Sequence, residues 1–423
     1  MKLKIGIIGL GYVGLPLAIS FSKKYQVIGF DLNKKRINSL SNVIDCNLDL
    51  QNKELSILKK KKINFTHNEK DLKKINFYII TVPTPVNKSK KPEFKYLINA
   101  SKLVGKYLKK NDIVVYESTV YPGATDEICI PVLEKISGLK INKDFYVGFS
   151  PERLSPGDNS HGLEKITKIT SGSNPKSSKI IDKIYKSIIK RGTFLVSSIK
   201  AAEATKIIEN TQRDLNIAFV NELTQIFHRL NLNTKEILDA AATKWNFLKF
   251  QPGLVGGHCI AVDPYYFLKK CNDIKYKNKL ILPARSVNDS MTNFVCLRTL
   301  GLIKNLKRKV KKTKILLMGF SYKENSTDVR NTPVADIFNY LKKKGISELD
   351  IYDPIVNKME VLKKFKIKVN DKIDKKYDII ILCVPHKKII NFLNKSIKKI
   401  TYNGSKIFDI KYVLKKNKNI IQL

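Results

Sequence analysis

Apolar residues gather in short unbroken runs toward both ends of the chain and in rows spaced three and four apart in its middle, and the two patterns predict different structure. Residues 3–8 (LKIGII) read as a buried strand, a glycine-rich turn follows, 13–24 carry helical spacing, and 26–30 (QVIGF) form a second strand ending at Asp31. Strand, turn, helix and strand within about thirty residues is the unit from which a parallel sheet is built. Further strands are predicted at 77–82, 112–116 and 145–149, so this first region reads as doubly wound α/β.

From about 199 to 243, and again from about 281 to 308, the pattern is helical with no strand signal. Long helices between two α/β regions suit a connecting and dimerising module, and they suit simple packing between domains equally well. At 313–318 a strand returns, followed by Gly319, a polar loop and a helix opened by Thr332 and Pro333, a capping residue and a first-turn proline. Strands ending at 351–354 and at 378–384 complete a weaker copy of the first region. The expected organisation is α/β, two Rossmann-like doubly wound domains over 1–198 and 309–423 joined by a central helical domain over 199–308.

With 423 residues, more than one hydrophobic core is expected, and the 43% hydrophobic content suffices for several. Lys and Arg total 79 against 37 Asp and Glu, a formal net charge of +42, which raises nucleic acid or an anionic membrane as partners. The lysines, however, are spread along the chain among abundant Asn and Ile. That is a bias of the whole composition, so neither partner is expected, although the positive field would attract a diphosphate. Cysteines at 46, 129, 259, 271, 296 and 383 form no C-x-x-C pair and lack matching histidines, so no zinc site, other metal or disulfide framework is suggested. The N-terminal run lacks a small-residue cleavage site, and no stretch reaches the roughly eighteen apolar residues of a membrane span. A reducing cytoplasm is the expected location.

Gly9-Leu10-Gly11-Tyr12-Val13-Gly14 is a G-x-G-x-x-G directly after a strand and opening a helix. Gly9 permits the tight turn, Gly11 lets the backbone approach a pyrophosphate, and Gly14 allows the helix to pack closely on the strand. Asp31, at the end of the second strand, is placed to accept hydrogen bonds from the ribose hydroxyls and would repel a 2′-phosphate. NAD is therefore expected over NADP, with Lys34, Lys35 and Arg36 the residues that would hold an extra phosphate. Alone the motif is weak; with strand, helix and acid in place it is specific.

The run from Gly253 through Gly256, Gly257, His258 and Cys259 to Asp263 and Pro264 joins flexible backbone to a thiol and a carboxylate. Such glycines let main-chain amides approach a ligand phosphate, and a cysteine there can attack a carbonyl if its thiolate is favoured. For an isolated cysteine a buried structural role would be the better reading. Lys206 and Asn210 leave the same face of the predicted helix and suit a developing oxyanion, or else a solvated flank. Glu152, in Ser150-Pro151-Glu152-Arg153, follows a strand at the carboxyl edge of the sheet and is a candidate base.

Taken in order, these motifs resemble the nucleotide-sugar 6-dehydrogenases related to UDP-glucose dehydrogenase and GDP-mannose dehydrogenase. The likeness adds Val-Pro-Thr-Pro at 82–85, Glu-Ser-Thr-Val at 117–120, and Ser321-Tyr322-Lys323 with Asp328 and Arg330. It implies an NAD domain, a helical dimer-building middle and a C-terminal domain for the nucleotide diphosphate. It also implies two oxidations at carbon 6, with Cys259 forming a thiohemiacetal and then a thioester that water releases as the carboxylate. By motif position, Lys206, Asn210 and Asp263 would stabilise the oxyanion and position water, while Glu152 and Thr119 would assist proton transfer. The cofactor set is Gly9, Gly11, Tyr12, Val13, Gly14, Asp31, Arg36, Thr84 and Thr119. The substrate set is Glu152, Arg153, Lys206, Asn210, Gly256, Gly257, His258, Lys323 and Arg330.

His258, Val262 and Pro156 stand where UDP-glucose enzymes carry serine, lysine and a second glutamate. That departure resembles the branch acting on UDP-2-acetamido sugars, UDP-N-acetylglucosamine or UDP-N-acetylgalactosamine above all, in surface-polysaccharide pathways. UDP-N-acetylmannosamine and UDP-glucose are the alternatives within the family. Outside it stand a two-electron dehydrogenase, which needs no thiol, and a basic nucleotide- or nucleic-acid-binding module without turnover.

Overall fold

In the computed structural model, the described residues are 3–45, 56, 58, 62–87, 89–154, 162–415 and 417–423. Cys46 and Pro156, the latter with the rest of the 155–158 motif, lie outside them. The chain divides into two compact units, one of Met1–Glu209 with Tyr265–Tyr276, the other of Asn210–Pro264 with Lys277–Leu423.

The first unit is built on a sheet of β1 (Lys4–Ile8), β2 (Gln26–Phe30), β3 (Ile63–Thr66), β4 (Phe77–Ile80), β5 (Ile113–Tyr116), β6 (Tyr146–Phe149), β7 (Lys168–Gly172) and β8 (Thr193–Leu195). Their order is β3-β2-β1-β4-β5-β6-β7-β8. Pairing is parallel from β3 through to β6, antiparallel between β6 and β7, and parallel again to β8. Parallel strands need crossover helices, which cover both faces, and so β4 and β5 are buried at every position. Since β1 pairs with β2 on one side and β4 on the other, the strand order reverses there. A crevice opens at such a point beyond the carboxyl ends, which deliver Gly9, Asp31 and Thr81 to it. The predicted doubly wound fold is present. Strands β3, β7 and β8 are additions: each has five residues or fewer, and lysine, threonine and serine hide the apolar signal of β7, buried though it is throughout.

In the second unit the predicted helical stretch 199–243 is two helices. Ile199–Arg229 begins in the first unit and runs into the second. Asn231 then takes a left-handed conformation (φ 57°), and the Asn233 side chain accepts the Lys235 and Glu236 N–H groups to start Thr234–Ala241. A further helix spans Ile281–Asn305. Strands β9 (Ile315–Met318), β10 (Leu349–Tyr352), β11 (Tyr377–Leu382), β12 (Thr401–Asp409) and β13 (Ile420–Gln422) form a parallel sheet in the order β10-β9-β11-β12-β13. Thr332 caps Pro333–Lys343 by accepting the Val334 N–H. Ile315, Leu317, Ile351, Ile379 and Ile381 share one core with Met291, Val295 and Ile303 of the long helix.

Candidate functional site

The glycine-rich turn after β1 is held by carboxylate and guanidinium. Asp31 accepts the Leu10 N–H at 2.9 Å on one oxygen and the Asn33 N–H at 2.8 Å on the other. Each oxygen keeps a lone pair for a ribose hydroxyl. Gly9 has φ 98°, and a Cβ on Gly14 would stand 1.9 Å from the Gly9 carbonyl oxygen, so both must be glycine. A Cβ on Gly11 would meet nothing within 4 Å. That open space over amides at the start of the helix Gly14–Ser22 fits a pyrophosphate. Beside it Gly9, Phe30, Asp31, Leu32, Val82 and Pro83 help line a cavity of about 470 Å³, mostly apolar, suited to an adenosine. Arg36 is buried, donates to the Leu10 carbonyl at 3.0 Å and pairs with Asp45 at 2.6 Å. Of the three cations that sequence offered to an extra phosphate, Arg36 instead braces the glycine turn, while Lys34 and Lys35 are exposed.

Around Glu152 the first unit assembles a buried polar cluster. One Glu152 oxygen accepts the N–H groups of Arg153 (2.6 Å) and Leu154 (2.5 Å), and the other lies 3.4 Å from the Lys168 ammonium. Lys206 donates to the Glu152 carbonyl oxygen at 2.5 Å and is itself buried, so it is not a solvated flank. Burial alone would raise the Glu152 carboxyl, but Lys168, those N–H groups and Lys206 outweigh it and hold the group below the usual carboxylate range. Arg153 points elsewhere: its guanidinium pairs with Glu209 at 2.6 Å and donates to the Thr167 carbonyl at 2.8 Å. Thr119 lies in the loop after β5, and that loop is tied down by Glu203, whose carboxylate accepts the Gly123 and Thr125 N–H groups. Burial lifts the Glu203 carboxyl to about 7. Thr84 presents its carbonyl to the Tyr266 hydroxyl at 2.7 Å. Sequence reasoning missed Glu203 and Tyr266, whose roles come only from contacts far along the chain.

In the second unit the segment bearing Cys259 is clamped along its length. Asn221 accepts the Gly253 N–H at 2.8 Å and donates to the Gly253 carbonyl at 3.1 Å, while Asn331 donates to the Gly257 carbonyl at 3.0 Å. A Cβ on Gly256 would lie 2.6 Å from the Asn331 carbonyl oxygen, and one on Gly257, already at φ 85°, 2.5 Å from the Tyr322 ring. These two glycines thus serve close approach of the Ser321–Asn331 loop. Cys259 sits in the turn before the helix Asp263–Asp273, its carbonyl accepting the Val262 and Asp263 N–H groups at 2.9 and 2.7 Å. It is half-buried, whereas the other described cysteines, 129, 271, 296 and 383, are buried; burial pushes the Cys296 thiol up to about 12. Among the described cysteines only Cys259 is not buried, and it lies in the turn that leads into a helix. Asn210, one helical turn after Lys206, donates its amide to the Asp263 carboxylate.

His258 lies 3.5 Å from Asp328, whose carboxylate also takes a two-pronged hold of Arg330 at 2.6 to 3.0 Å. Burial would raise Asp328, but His258 and Arg330 outweigh it and keep the carboxyl well below its ordinary value. Lys323 follows Ser321, whose hydroxyl donates to the Lys323 carbonyl at 2.7 Å. Together with Lys411 and Tyr322, Lys323 lines a cavity of about 230 Å³ at the carboxyl edge of the second sheet. Lys411, which the sequence reading overlooked, is lowered in pKa by burial, partly offset by Glu324. A phosphate would relieve that cost.

Family models match all three parts in order. The NAD-binding domain of the UDP-glucose/GDP-mannose dehydrogenase family matches residues 3–189, its central domain 200–290 and its UDP-binding domain 316–416. The chain belongs to this family. It is an NAD-dependent nucleotide-sugar dehydrogenase. It is similar to a UDP-N-acetyl-D-glucosamine 6-dehydrogenase of Salmonella typhi, at 48% identity over 100% of this chain and 99% of that one. The corresponding Pseudomonas aeruginosa protein is 47% identical over 100% and 99%. Among solved structures, a UDP-D-ManNAc dehydrogenase of Pyrococcus horikoshii superposes with a TM-score of 0.89 at 29% identity, covering 99% of this chain and 98% of that one. No helix among the described residues is long and apolar enough to cross a membrane.

Proposed function

We propose that the chain oxidises carbon 6 of a UDP-2-acetamido-hexose, UDP-N-acetylglucosamine first and its galacto epimer second, to the uronic acid, with Cys259 as covalent nucleophile. The observation that carries the covalent step is the half-buried Cys259 on a clamped turn beside a helix start. Likeness to the Salmonella typhi and Pseudomonas aeruginosa enzymes supports the substrate, since 48% and 47% identity over the whole chain exceed the 34% identity to a UDP-N-acetyl-D-mannosamine dehydrogenase of Pyrococcus horikoshii.

NAD, when bound, accepts a hydride in each of the two oxidations. The thiolate of Cys259 adds to the carbon-6 aldehyde, and the resulting alkoxide takes a proton. Oxidation of that thiohemiacetal leaves a thioester. Water then attacks the thioester carbonyl, Glu152 takes the water's proton, the carbon–sulfur bond breaks, and the thiolate leaves to take a proton in turn. Lys206 and Asn210 stabilise the oxyanion, Asp263 orients the Asn210 amide, and Thr119 assists proton transfer. Lys323 and Lys411 hold the diphosphate, and Arg330, oriented by Asp328, reaches the nucleotide-sugar.

The reading extends to assembly and place. Phe219 and Ile226, seven residues apart on Ile199–Arg229, are exposed together with Leu230 just past its end, an apolar stripe that a second copy of the chain would cover, so a homodimer built by residues 199–308 is proposed. The enzyme works in the cytoplasm and supplies an acidic sugar nucleotide for surface polysaccharide. A panel of UDP-N-acetylglucosamine, -galactosamine, -mannosamine and UDP-glucose, read by NADH formed per sugar, tests it. About two NADH per 2-acetamido sugar are expected; turnover confined to UDP-glucose would overturn the substrate.

A further inference from the structure

Behind Glu152 lies a group of ionisable side chains that the mechanism above does not use. Lys168, the first residue of β7, is 3% exposed, and its ammonium lies 2.7 Å from Glu117 and 3.4 Å from Glu152. It also sits 5.6 Å above the Tyr185 ring, and the Tyr185 hydroxyl donates to the second oxygen of Glu117. Two carboxylates thus share one buried ammonium, and the far one is anchored by a phenol. Side-chain exposure rises along the row, from 0% at Glu117 through 3% at Lys168 to 10% at Glu152. Only its Glu152 end approaches solvent.

Fold stability is a weak reason for such a row. Removing three ionisable groups from water costs several kcal/mol each, and well-packed apolar residues of similar volume often do as well or better. The row does have a geometric consequence. One Glu152 oxygen is fixed by two main-chain N–H groups and the other by Lys168, so the carboxylate has a single orientation. Lys168 cannot swing away, because Glu117 holds it from behind.

We propose that Lys168, anchored by Glu117 and Tyr185, is a positioning residue that fixes the orientation and charge of Glu152 for its proton transfers. The proposal rests on the reading of Glu152 as the group that takes the proton from water. The charged and titratable groups facing Glu152 are Lys168 from β7, Glu117 from the residue after β5, Lys206 from the long helix, and Tyr185. Loss of Lys168 removes the largest of the influences that hold Glu152 low, leaving burial, which raises it, opposed by Lys206 and the Arg153 and Leu154 N–H groups alone.

The test compares Lys168→Met, Lys168→Arg, Tyr185→Phe and Glu152→Gln, using UDP-N-acetylglucosamine and NAD with thermal melting measured alongside. In Lys168→Met, kcat should fall at least about tenfold, with KM for both substrates within about threefold of wild type, and the acid limb of the kcat profile should move to higher pH. Lys168→Arg should recover most of the loss. If Lys168→Met does not fold, Tyr185→Phe carries the test, with a smaller fall in kcat and KM for both substrates again within about threefold of wild type. Wild-type kcat and an unmoved limb in the folded variant overturn the proposal. Glu152→Gln separates the two ideas: if it is inactive while Lys168→Met is normal, the positioning role alone falls, and if it is fully active, the reading of Glu152 falls first.

Discussion

Asn210 donates its side-chain amide to the carboxylate of Asp263, both residues more than 90% buried. Asp263 opens the helix that follows Cys259, and its own N–H is bonded to the Cys259 carbonyl at 2.7 Å. The amide is therefore oriented by a group tied to the segment carrying the thiol. In Asn210→Ala, kcat should fall by about a hundredfold or more, as for loss of an oxyanion donor, with little change in KM for NAD. Steady-state kinetics with UDP-N-acetylglucosamine checks this.

Gly14→Ala should damage folding and cofactor binding together. Its Cβ would stand 1.9 Å from the Gly9 carbonyl oxygen and 2.5 Å from the Thr81 hydroxyl, and neither is the end of a flexible chain. A cost of about 1 to 3 kcal/mol is expected, read as a lowered thermal midpoint, with NAD affinity falling as the turn shifts.

Asp31→Ser should weaken NAD by about tenfold without making NADP a good substrate. The variant loses the ribose acceptor and the brace on Leu10. Arg36 stays committed to Asp45 and the Leu10 carbonyl, so no cation is released to receive a 2′-phosphate. The ratio of kcat/KM for the two cofactors is the measurement.

Asp353 should give the second unit an acid-sensitive stability. Burial would raise its carboxyl, but His386 at 3.0 Å and the N–H groups of Phe320 and Ile355 outweigh this and hold it below 3.8. Below 3.8 the unfolded chain takes up a proton at this carboxyl while the folded one does not. The contribution is thus present above that pH and lost as pH falls through the lower folded value. The gap in denaturation midpoint between wild type and Asp353→Asn should hold steady from about pH 7 to about pH 4 and narrow as the pH falls further.

The cofactor end was legible in the chain because its chemistry is local. Gly9, Gly11, Gly14 and Asp31 lie within one strand-turn-helix-strand unit; Gly9 and Gly14 answer requirements set by their neighbours, and Gly11 leaves open space for the ligand. Cys259 was legible through its glycines, though Gly256 and Gly257 prove to admit Tyr322 and Asn331 closely. Lys168 and Lys411 were not legible. In a chain with 79 Lys and Arg a single lysine carries no signal, and only their tertiary surroundings distinguish these two. Glu203 and Asn221 escaped for a related reason, since the N–H groups they satisfy lie about 80 and 32 residues away. The long helical region was read as one element, and its break depends on the left-handed Asn231 and the cap at Asn233.

The covalent role of Cys259 is tested most directly by Cys259→Ala, mixed with UDP-N-acetylglucosamine and excess NAD and quenched for product analysis. The expected result is a folded protein that binds NAD yet forms no uronic acid, while the wild type yields about two NADH per sugar. Uronic acid appearing at the wild-type rate in that variant would contradict the account.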